Sequence, residues 1–384
     1  MKKYIPKELL FLRVLFKGED RLGKYKICVY SICKNEEKFA DRWMDSVSEA
    51  DMVVVVDTGS TDGTVAKLRS RGAIVFEEQF IPWRFDTAIN AALDHVPEDV
   101  DICFLLGLDV VLDPGWREAL EKGWRPEYTR ASYWLVWSGE GKLEKRFKVQ
   151  KIHRRHGFRW IHPVHEVLKY TGSDPDTIVF IDNLIARHKP DHKKSRSQYL
   201  PLLELSVQEN PDDSAAIFWL GREYFFHGQY DNAISTLDKH LKMPGASWPE
   251  ERCASMIFIS RAYKSTGDTN TALKWLFRAA AECPAAREPW LALAEYGYNA
   301  KDWPLTFWAA EQGLKVKRRS NSYLTNPDAW GYKLEDLCAI ACYWLGMFDK
   351  SATHAKAALS VSPDDERLVR NLELIEKKRG GGNA

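Results

Sequence analysis

Two patterns of hydrophobic positions divide the chain. Up to about residue 188, short apolar runs alternate with segments of helical spacing. Residues 27–30 and 52–56 are continuous apolar runs that predict buried strands, and Phe39, Trp43 and Val47 have the spacing of a helix between them. Strands that alternate with helices over short connections predict a mostly parallel sheet covered by helices, with further strands at residues 73–76 and 102–106.

From about residue 195 the strand pattern ends and a helical repeat begins. Gly228 with Ala233 and Gly267 with Ala272 occupy equivalent places, and Lys301 and Gly346 fall at the same point of two further units. This pattern resembles an array of tetratricopeptide repeats of about 34 residues with insertions, whose helix pairs stack into a solenoid with a concave surface. The first helix of each repeat lines that surface in such arrays, so Arg222 and Arg261 are expected there.

These patterns predict four segments. They are an N-terminal extension (1–25), an α/β domain (26–194), helical repeats (195–375) and a flexible tail (376–384).

Composition and charge exclude several classes of protein. The 384 residues include 55 Lys and Arg against 54 Asp and Glu, and a net charge of +1 is no reason to expect general binding to nucleic acid or anionic membranes. Seven Cys without regular close spacing argue against a disulfide scaffold and fit a reducing compartment. No apolar stretch reaches the roughly 20 residues of a membrane span, and the start lacks a signal-peptide pattern. We therefore expect a cytoplasmic protein.

Polar residues follow the predicted strands at the positions where α/β sheets bind ligands. The segment Lys34-Asn35-Glu36-Glu37 follows the first strand, Asp57 opens a glycine-rich turn after the second, and Asp109 follows the strand at 102–106. Taken alone, the turn at 57–63 is equally well explained as a helix N-cap. A dinucleotide fingerprint is a poorer explanation, because no G-x-G-x-x-G is present. Two further polar segments complete the set, at residues 83–90 and 160–166.

The ordered set resembles family-2 glycosyltransferases of the GT-A fold, in the branch that carries C-terminal tetratricopeptide repeats and includes peptide S- and O-glycosyltransferases. The resemblance implies a Rossmann-like α/β catalytic domain with a mostly parallel sheet, followed by an all-α solenoid. It also implies a nucleotide-sugar donor, most simply a UDP-sugar. The residues that the resemblance assigns to donor binding are Lys34, Asn35, Glu36, Asp57, Asp62, Asp86, Asn90 and Arg155.

The resemblance further implies a divalent metal, Mn²⁺ or Mg²⁺, that grips the donor diphosphate. Asp109 is the expected ligand and His165 an additional one, since such ions need only one or two protein carboxylates and imidazole suits Mn²⁺ better than Mg²⁺. Three positions depart from the family pattern: Gly107 replaces the first Asp of the metal motif, Val110 an acidic residue, and Ile89 an Arg. Each departure removes a charge from the diphosphate neighbourhood.

Glu166 is the candidate general base for the acceptor nucleophile, in the run His162-Pro163-Val164-His165-Glu166. The alternative for this run is a pair of histidines that cap a turn. Trp83 and Trp160 are candidates for contact with sugar or acceptor, whereas the many Trp of the repeats are expected to pack between helices.

A basic stretch precedes this run. It has three interpretations: a solvated charged face, guanidinium groups that reach the donor phosphates, or a polynucleotide surface. Its members are Lys142, Lys145, Arg146, Lys148, Lys151, Arg154, Arg155 and Arg159.

Three functions compete. The leading hypothesis is a metal-dependent, inverting glycosyltransferase that moves a sugar from a UDP-sugar to a peptide, protein or glycan acceptor, which the repeats help to hold. The second is a catalytically impaired scaffold that binds sugar nucleotides, suggested by Gly107. The third is glycosylation of a modified nucleic acid, favoured only by the basic stretch. A homodimer is compatible with each of them.

Overall fold

The computed structural model describes residues 23–137, 144–191 and 197–380. Most of the predicted N-terminal extension, Lys142, the expected start of the repeats at residue 195 and residues 381–384 of the predicted tail lie outside these ranges. The chain forms two compact units that are not continuous in sequence. The first contains residues up to Trp134, Val149–Ile161 and Val167–Pro190, and the second contains Leu135–Lys148, His162–Glu166 and the residues from Asp191 onward.

Four parallel strands form one half of the sheet in the first unit. They pair in the order β3-β2-β1-β4, so that Cys28 lies beside both Met52 and Cys103. The run 52–56 is buried throughout, which explains why it is continuously apolar rather than alternating. The strands are β1 (Ile27–Cys33), β2 (Met52–Asp57), β3 (Ile74–Glu77) and β4 (Ile102–Leu105), and the helices of this unit are α1 (Glu37–Ser46), α2 (Thr64–Ser70), α3 (Phe85–Asp94) and α4 (Trp116–Gly123).

The sheet continues beyond β4 with strands that the hydrophobic pattern did not predict. The order continues as β4-β7-β6-β10-β5, and the pairs β4–β7 and β5–β10 are antiparallel. Two short strands, β8 and β9, form a separate antiparallel pair. The bounds are β5 (Val110–Leu112), β6 (Arg130–Trp137), β7 (Lys145–Arg154), β8 (Phe158–Ile161), β9 (Val167–Tyr170) and β10 (Ile178–His188).

The second unit consists mainly of helix pairs, as the repeat pattern predicted. Gly228, Gly267 and Gly346 connect the helices of three pairs in left-handed backbone conformations, with φ of 71°, 92° and 74°. Lys301 adopts the same conformation in the remaining pair, with φ of 57°. The pairs are α6 (Ser214–Phe226) with α7 (Tyr230–Lys242), α8 (Pro249–Ser265) with α9 (Thr269–Glu282), α10 (Glu288–Ala300) with α11 (Trp303–Lys315), and α13 (Lys333–Trp344) with α14 (Phe348–Val361). The other helices are α5 (Tyr199–Glu209), the short α12 (Pro327–Trp330) and α15 (Glu366–Gly380).

Small residues let the paired helices approach closely. A side chain at Gly221 would place its Cβ 2.6 Å from Cγ of Leu237 in the partner helix. In the next pair the Ser260 hydroxyl donates a hydrogen bond to the carbonyl oxygen of Ala272 at 2.8 Å. Asp268 and Asp302 cap helices α9 and α11 by accepting from backbone N–H groups. The predicted fold class, an α/β domain with parallel strands followed by an all-α repeat region, is confirmed.

Two general expectations can be compared with the described residues. None of their helices is both long and apolar enough to cross a membrane. Cys28, Cys33 and Cys103 are buried in the first unit as predicted, and Cys338 and Cys342 share the buried side of α13.

Candidate functional site

The loops that follow β1 and β2 form one hydrogen-bonded cluster. Asn35 has a left-handed backbone, with φ of 54°, and its N–H donates to the Ser60 hydroxyl at 2.8 Å. Its side-chain oxygen in turn accepts from the N–H of Thr61 at 2.8 Å, and the N–H of Glu36 donates to the Thr64 hydroxyl at 2.8 Å. Two segments that the sequence assigned to the same ligand are therefore adjacent at the carboxyl ends of neighbouring strands.

Asp57 holds the turn after β2 in place. Its carboxylate is buried, and Oδ2 accepts hydrogen bonds from the N–H groups of Gly59 at 3.0 Å and Ser60 at 2.9 Å. Oδ1 accepts from the Ser60 hydroxyl and from the thiol of Cys33. Burial and the adjacent carboxylate of Asp57 raise the pKa of Cys33 well above its usual range. Both oxygens of Asp57 are thus engaged within the turn. The N-cap of helix α2 is Gly63, so Asp57 fixes the turn and does not cap the helix.

Asp62 has a similar local role. Its Oδ1 accepts a hydrogen bond from the N–H of Thr64 at 3.0 Å. Partial burial acts to raise the pKa of Asp62, but the hydrogen bonds that its carboxylate accepts outweigh this effect and lower the pKa. Glu37 accepts from the N–H of Gly63 at 3.1 Å. Lys34 is exposed beside this cluster. The cluster therefore offers a hydrogen-bonded backbone framework beside the exposed Lys34.

Asp109 follows β4 and pairs with a histidine that the sequence did not single out. Nε2 of His188 lies 3.0 Å from Oδ2 of Asp109, with about a third of the aspartate side chain exposed. The N–H of Lys189 also donates to the carbonyl oxygen of Asp109 at 2.7 Å. A Cβ at Gly107 would lie 3.0 Å from Oδ1 of Asp109, so a side chain at position 107 would adjoin this carboxylate.

These two side chains fit a divalent ion of the kind that the resemblance implies. Within the described residues no group of three or more His, Cys, Asp and Glu could hold a metal. Ions such as Mg²⁺ and Mn²⁺ bind through one or two carboxylates together with phosphate oxygens and water. A carboxylate with an imidazole nitrogen favours Mn²⁺ over Mg²⁺. Asp109 and His188 therefore suit a site that a diphosphate completes.

Asp86 and Asn90 are engaged near the start and middle of α3. Asp86 receives two hydrogen bonds from the guanidinium of Arg84, at 3.0 and 2.8 Å. The amide of Asn90 donates to the carbonyl oxygen of Trp160 at 2.8 Å and accepts from its N–H at 2.9 Å. This exchange of hydrogen bonds ties α3 to β8, so in this conformation Asn90 stabilises the fold rather than facing a donor.

Trp160 belongs to the core of the first unit. Its side chain is 3% exposed, and its indole N–H donates to the hydroxyl of Tyr30 at 2.7 Å. That hydroxyl is also 2.8 Å from Nε2 of His153, whose pKa burial lowers to about 4. The expectation that Trp160 contacts a sugar is therefore not met in this conformation, because no face of its ring is available. Trp83 is half-buried between the edges of Phe80 and Phe85.

Arg155 lies at the wrong edge of the sheet for the predicted contact with phosphate. Arg154 pairs with Ile102, the first residue of β4, so Arg155 follows at the amino end of that strand while Asp109 lies beyond its carboxyl end. At about 3.3 Å per residue, β4 alone separates them by roughly 10 Å. Arg155 donates instead to the carbonyl oxygens of Val96 and Pro97.

The basic stretch is partly neutralised by local partners. Arg154 pairs with Asp174 at 2.7 Å and Arg159 with Asp94 at 2.8 Å. These ion pairs weaken the interpretation of the stretch as a polynucleotide surface.

The segment that carries His165 and Glu166 lies in the second unit. His162 and His165 both have positive φ, 77° and 57°. His162 contacts the Ser206 hydroxyl at 3.2 Å and the Asp213 carboxylate at 3.3 Å. His165 packs against the rings of Tyr199 and Trp219, with its Nε2 3.5 Å from a nitrogen of Arg222. Glu166 is half-buried directly before β9.

Comparison with known proteins finds similarity over part of the chain. Residues 28–159 match the family described as Glycosyl transferase family 2. The chain is also 31% identical over 157 residues to the lipopolysaccharide core biosynthesis glycosyltransferase LpsC of Rhizobium meliloti (strain 1021). This match covers 34% of the chain and only 57% of that relative's length.

Solved structures with low similarity to this chain include two proteins. MamA is 16% identical with a TM-score of 0.35, and the match covers 44% of this chain and 82% of that one. A thermophilic tetratricopeptide-repeat protein of Thermus thermophilus is 19% identical with a TM-score of 0.32, over 46% of this chain and 88% of that one.

Proposed function

We propose that this protein is a metal-dependent glycosyltransferase that takes its sugar from a nucleotide-sugar donor, most simply a UDP-sugar. The observation that carries the proposal is the pair Asp109 and His188 beyond the carboxyl end of β4. Asp109 lies within the segment that matches the glycosyltransferase family, and ligands of such sheets bind at this edge. Inversion of the anomeric centre follows from the family resemblance.

The donor is proposed to lie across the loops that follow β1, β2 and β4. The cluster of Asn35, Asp57 and Ser60 presents a fixed backbone at the ends of two of these strands. In this proposal Asp57 and Asp62 shape the loop, and Lys34 supplies an exposed cation for the nucleotide.

Asp109 and His188 are proposed to hold the divalent ion. When bound, such an ion stabilises the negative charge that develops on the departing diphosphate. The chain's own contribution is to fix the two ligands. The hydrogen bond from the N–H of Lys189 to the carbonyl of Asp109 positions the aspartate, and the pairing of β10 with β5 positions the histidine.

Glu166 is proposed to accept the proton of the attacking acceptor group. A carboxylate can serve as general base when it lies within hydrogen-bond reach of the nucleophile. His165 is packed by Tyr199 and Trp219, so we propose that it orients the loop before Glu166 rather than binding the metal. The acceptor is proposed to be a peptide, protein or glycan that contacts the helical unit.

Binding of UDP tests this proposal directly. Titration of the full chain with UDP, with and without Mn²⁺, should show binding that Mn²⁺ strengthens, and a UDP-sugar should be hydrolysed slowly. A ligand at 100 times its dissociation constant should raise the free energy of unfolding by about 2.7 kcal/mol. If no nucleoside diphosphate binds under either condition, the proposal is wrong.

A non-catalytic scaffold is the second candidate, and Gly107 favours it. The metal pair has one carboxylate where the family pattern has two, and the carboxylates of Asp57 and Asp86 are engaged by neighbouring groups. Tight UDP binding without any hydrolysis or transfer would support the scaffold. Glycosylation of nucleic acid has less support, since Arg154 and Arg159 are paired with acidic residues.

A further inference from the structure

The helical unit contains a pocket of about 440 Å³ that lies outside the proposed donor site. Its walls come from helices α6 and α8, the start of α10, the segment that leads into α12, and Lys145 on β7. All of these residues belong to the second compact unit. Arg222 and Arg261, which the repeat pattern placed on one side of the array, both line it.

Positive charge exceeds negative charge among the lining residues. Four cationic side chains face the pocket, against the two carboxylates of Glu250 and Glu288. The cations are Lys145, Arg222, Arg261 and Arg318.

Both carboxylates already accept hydrogen bonds from neutral groups. Glu250 accepts from the Ser320 hydroxyl at 3.1 Å. Glu288 accepts from the N–H of Asn326 at 2.9 Å and from the indole N–H of Trp330 at 3.2 Å. Across the described parts of the chain, the guanidinium groups of Arg261 and Arg318 form neither a hydrogen bond nor an ion pair. The carboxylates that line the pocket therefore do not cancel the charge excess, and the further carboxylate near Arg261, that of Glu295, lies outside the lining.

The ionisation of Lys145 agrees with this charge balance. Burial, together with the nearby positive charges of Arg222 and Arg319, lowers the pKa of Lys145 to about 8, although Glu288 acts in the opposite direction. Burial is the larger cause, and the two arginines lower the pKa further. An anion in the pocket would relieve the repulsion and raise the pKa of Lys145 again.

The rest of the wall is apolar and aromatic. Phe226, Phe258 and Trp330 line it together with Ile257. The guanidinium of Arg261 lies 5.8 Å from the ring centre of Phe258. A ligand with a ring could pack on this wall while its charged group meets the arginines. The volume lies in the usual range for small-molecule sites, about 300–1,000 Å³, and exceeds what a single small anion needs.

We propose that this pocket binds a phosphate monoester whose ring packs on the aromatic wall. A monoester carries nearly two negative charges at neutral pH, which balances four cations against two carboxylates, whereas a carboxylate ligand would leave one cation unbalanced. Guanidinium groups match phosphate oxygens with paired, charge-assisted hydrogen bonds. The inference does not depend on the proposed transfer reaction, because it uses residues of the helical unit alone.

Calorimetric titration of the full chain at pH 7.5 tests the site with four probes. They are phenyl phosphate, a hexose 6-phosphate, inorganic phosphate and a hexuronate. At least one of the two ring-bearing phosphates should bind, at least tenfold more tightly than inorganic phosphate and the hexuronate. The stronger of the two identifies whether the ring is aromatic or a sugar. If neither ring-bearing phosphate binds, or if inorganic phosphate or the hexuronate binds as tightly as they do, the proposal is wrong.

Substitutions of pocket residues test whether the phosphate ligand binds in this pocket. Arg261→Ala should weaken binding of the stronger phosphate ligand at least tenfold, and Arg261→Lys should weaken it less. Arg370 is an exposed arginine of α15 outside the pocket, so Arg370→Ala should have no effect. Circular dichroism checks that each variant is folded. Unchanged affinity in Arg261→Ala would place the ligand elsewhere and overturn the proposal. Binding of UDP with Mn²⁺ is measured on the same variants and should persist. A loss of phosphate binding in the pocket can therefore be told apart from a loss of UDP binding at the donor site.

Discussion

Nε2 of His188 lies 3.0 Å from Oδ2 of Asp109, although 79 residues separate them along the chain. The register of the sheet brings them together, because His188 pairs with Val110, the residue that follows Asp109. The backbone contact from Lys189 to Asp109 adds a second constraint at the same point. The sheet therefore holds His188, and the contact with Lys189 fixes Asp109 in the turn between β4 and β5.

Restoring the missing carboxylate beside this pair should strengthen metal-dependent binding. In Gly107→Asp the new Cβ would lie 3.0 Å from Oδ1 of Asp109, so two carboxylates would share one site after a small shift of the aspartate. Without metal, their repulsion should raise the pKa of one of them. Affinity for UDP in the presence of Mn²⁺ should therefore rise, and calorimetry with and without Mn²⁺ measures the change.

The opposite changes and a control complete this test. Asp109→Asn and His188→Ala should weaken the effect of Mn²⁺ on UDP binding. Asp113→Asn removes a nearby carboxylate that pairs with Arg187 and should leave the Mn²⁺ effect unchanged. Equal Mn²⁺ dependence in the wild type and all four variants would mean that the ion is held elsewhere or not used.

Glu166→Gln should reduce transfer while preserving donor binding. The substitution keeps the shape of the side chain but removes its ability to accept a proton, so the rate should fall by about 10²–10⁴-fold. Turnover with a UDP-sugar and calorimetry with UDP measure the two properties separately. Glu98→Gln, at an exposed position of the first unit, is the matched control. Simultaneous loss of binding and turnover would instead assign Glu166 a structural role.

Asn90→Leu should destabilise the first unit. The substitution leaves the buried N–H and carbonyl of Trp160 without the amide that now bonds to both. An unsatisfied buried polar group costs about 1–3 kcal/mol, so the free energy of unfolding should fall by about 2 kcal/mol or more. Urea unfolding followed by tryptophan fluorescence measures the loss, and Asn232→Leu at an exposed position of α7 is the control. If stability is retained and UDP binding is lost, Asn90 contacts the donor after all.

The elements that could be predicted are those that a short stretch of sequence identifies by itself. The parallel strands are continuous apolar runs because both faces are buried, and the repeats are recognisable from Gly228, Gly267 and Gly346 at the turns. The strands β6, β7 and β10 were missed. In β7 and β10 buried and exposed positions mix without regular alternation, and the pairing of these strands depends on distant partners.

The candidate site was predictable only in part, for the same reason. Asp57 and Asp109 could be placed at strand ends because the strands themselves were recognisable. The pairing of His188 with Asp109 depends on a register between β5 and β10 that no local pattern encodes. Arg155 was misplaced because β7 runs antiparallel to β4, so the residue that follows β7 lies at the amino end of β4. Trp160 was misplaced because its ring is buried in the core of the first unit.

The turns of the helix pairs should respond differently to substitution at equivalent positions. Gly267 has φ of 92° and Lys301 has φ of 57°. A side chain in this backbone region costs about 1–2 kcal/mol, so Gly267→Ala should lower stability by that amount. Lys301→Gly should raise it by a smaller amount, about 0.5 kcal/mol, because glycine also loses more conformational freedom on folding. Thermal unfolding followed by far-ultraviolet circular dichroism compares the stabilities of the two variants. If both substitutions change stability in the same direction, this explanation of the turns is wrong.

The stability of the helical unit should depend on the protonation of Lys145. The pKa of this lysine is about 8 in the folded chain against 10.5 for the free side chain, owing to burial and to Arg222 and Arg319, with Glu288 opposing them. Between these two values the unfolded chain binds more protons than the folded chain, so the free energy of unfolding should rise with pH from about 8 to 10.5. Below pH 8 both states hold the proton and the cost of the buried cation is fully present.

Lys145→Met removes this titration and should therefore be more stable than the wild type at pH 7, with the difference shrinking as the pH approaches 10. Urea unfolding at several pH values measures the difference, and Lys264→Met, an exposed lysine of α8, serves as the control. The stronger phosphate ligand should also reduce the difference at pH 7, because its negative charge stabilises the protonated lysine in the folded state. If the stabilities of Lys145→Met and the wild type stay parallel across this range, Lys145 is not held among uncompensated positive charges, and the charge balance inferred for the pocket is wrong.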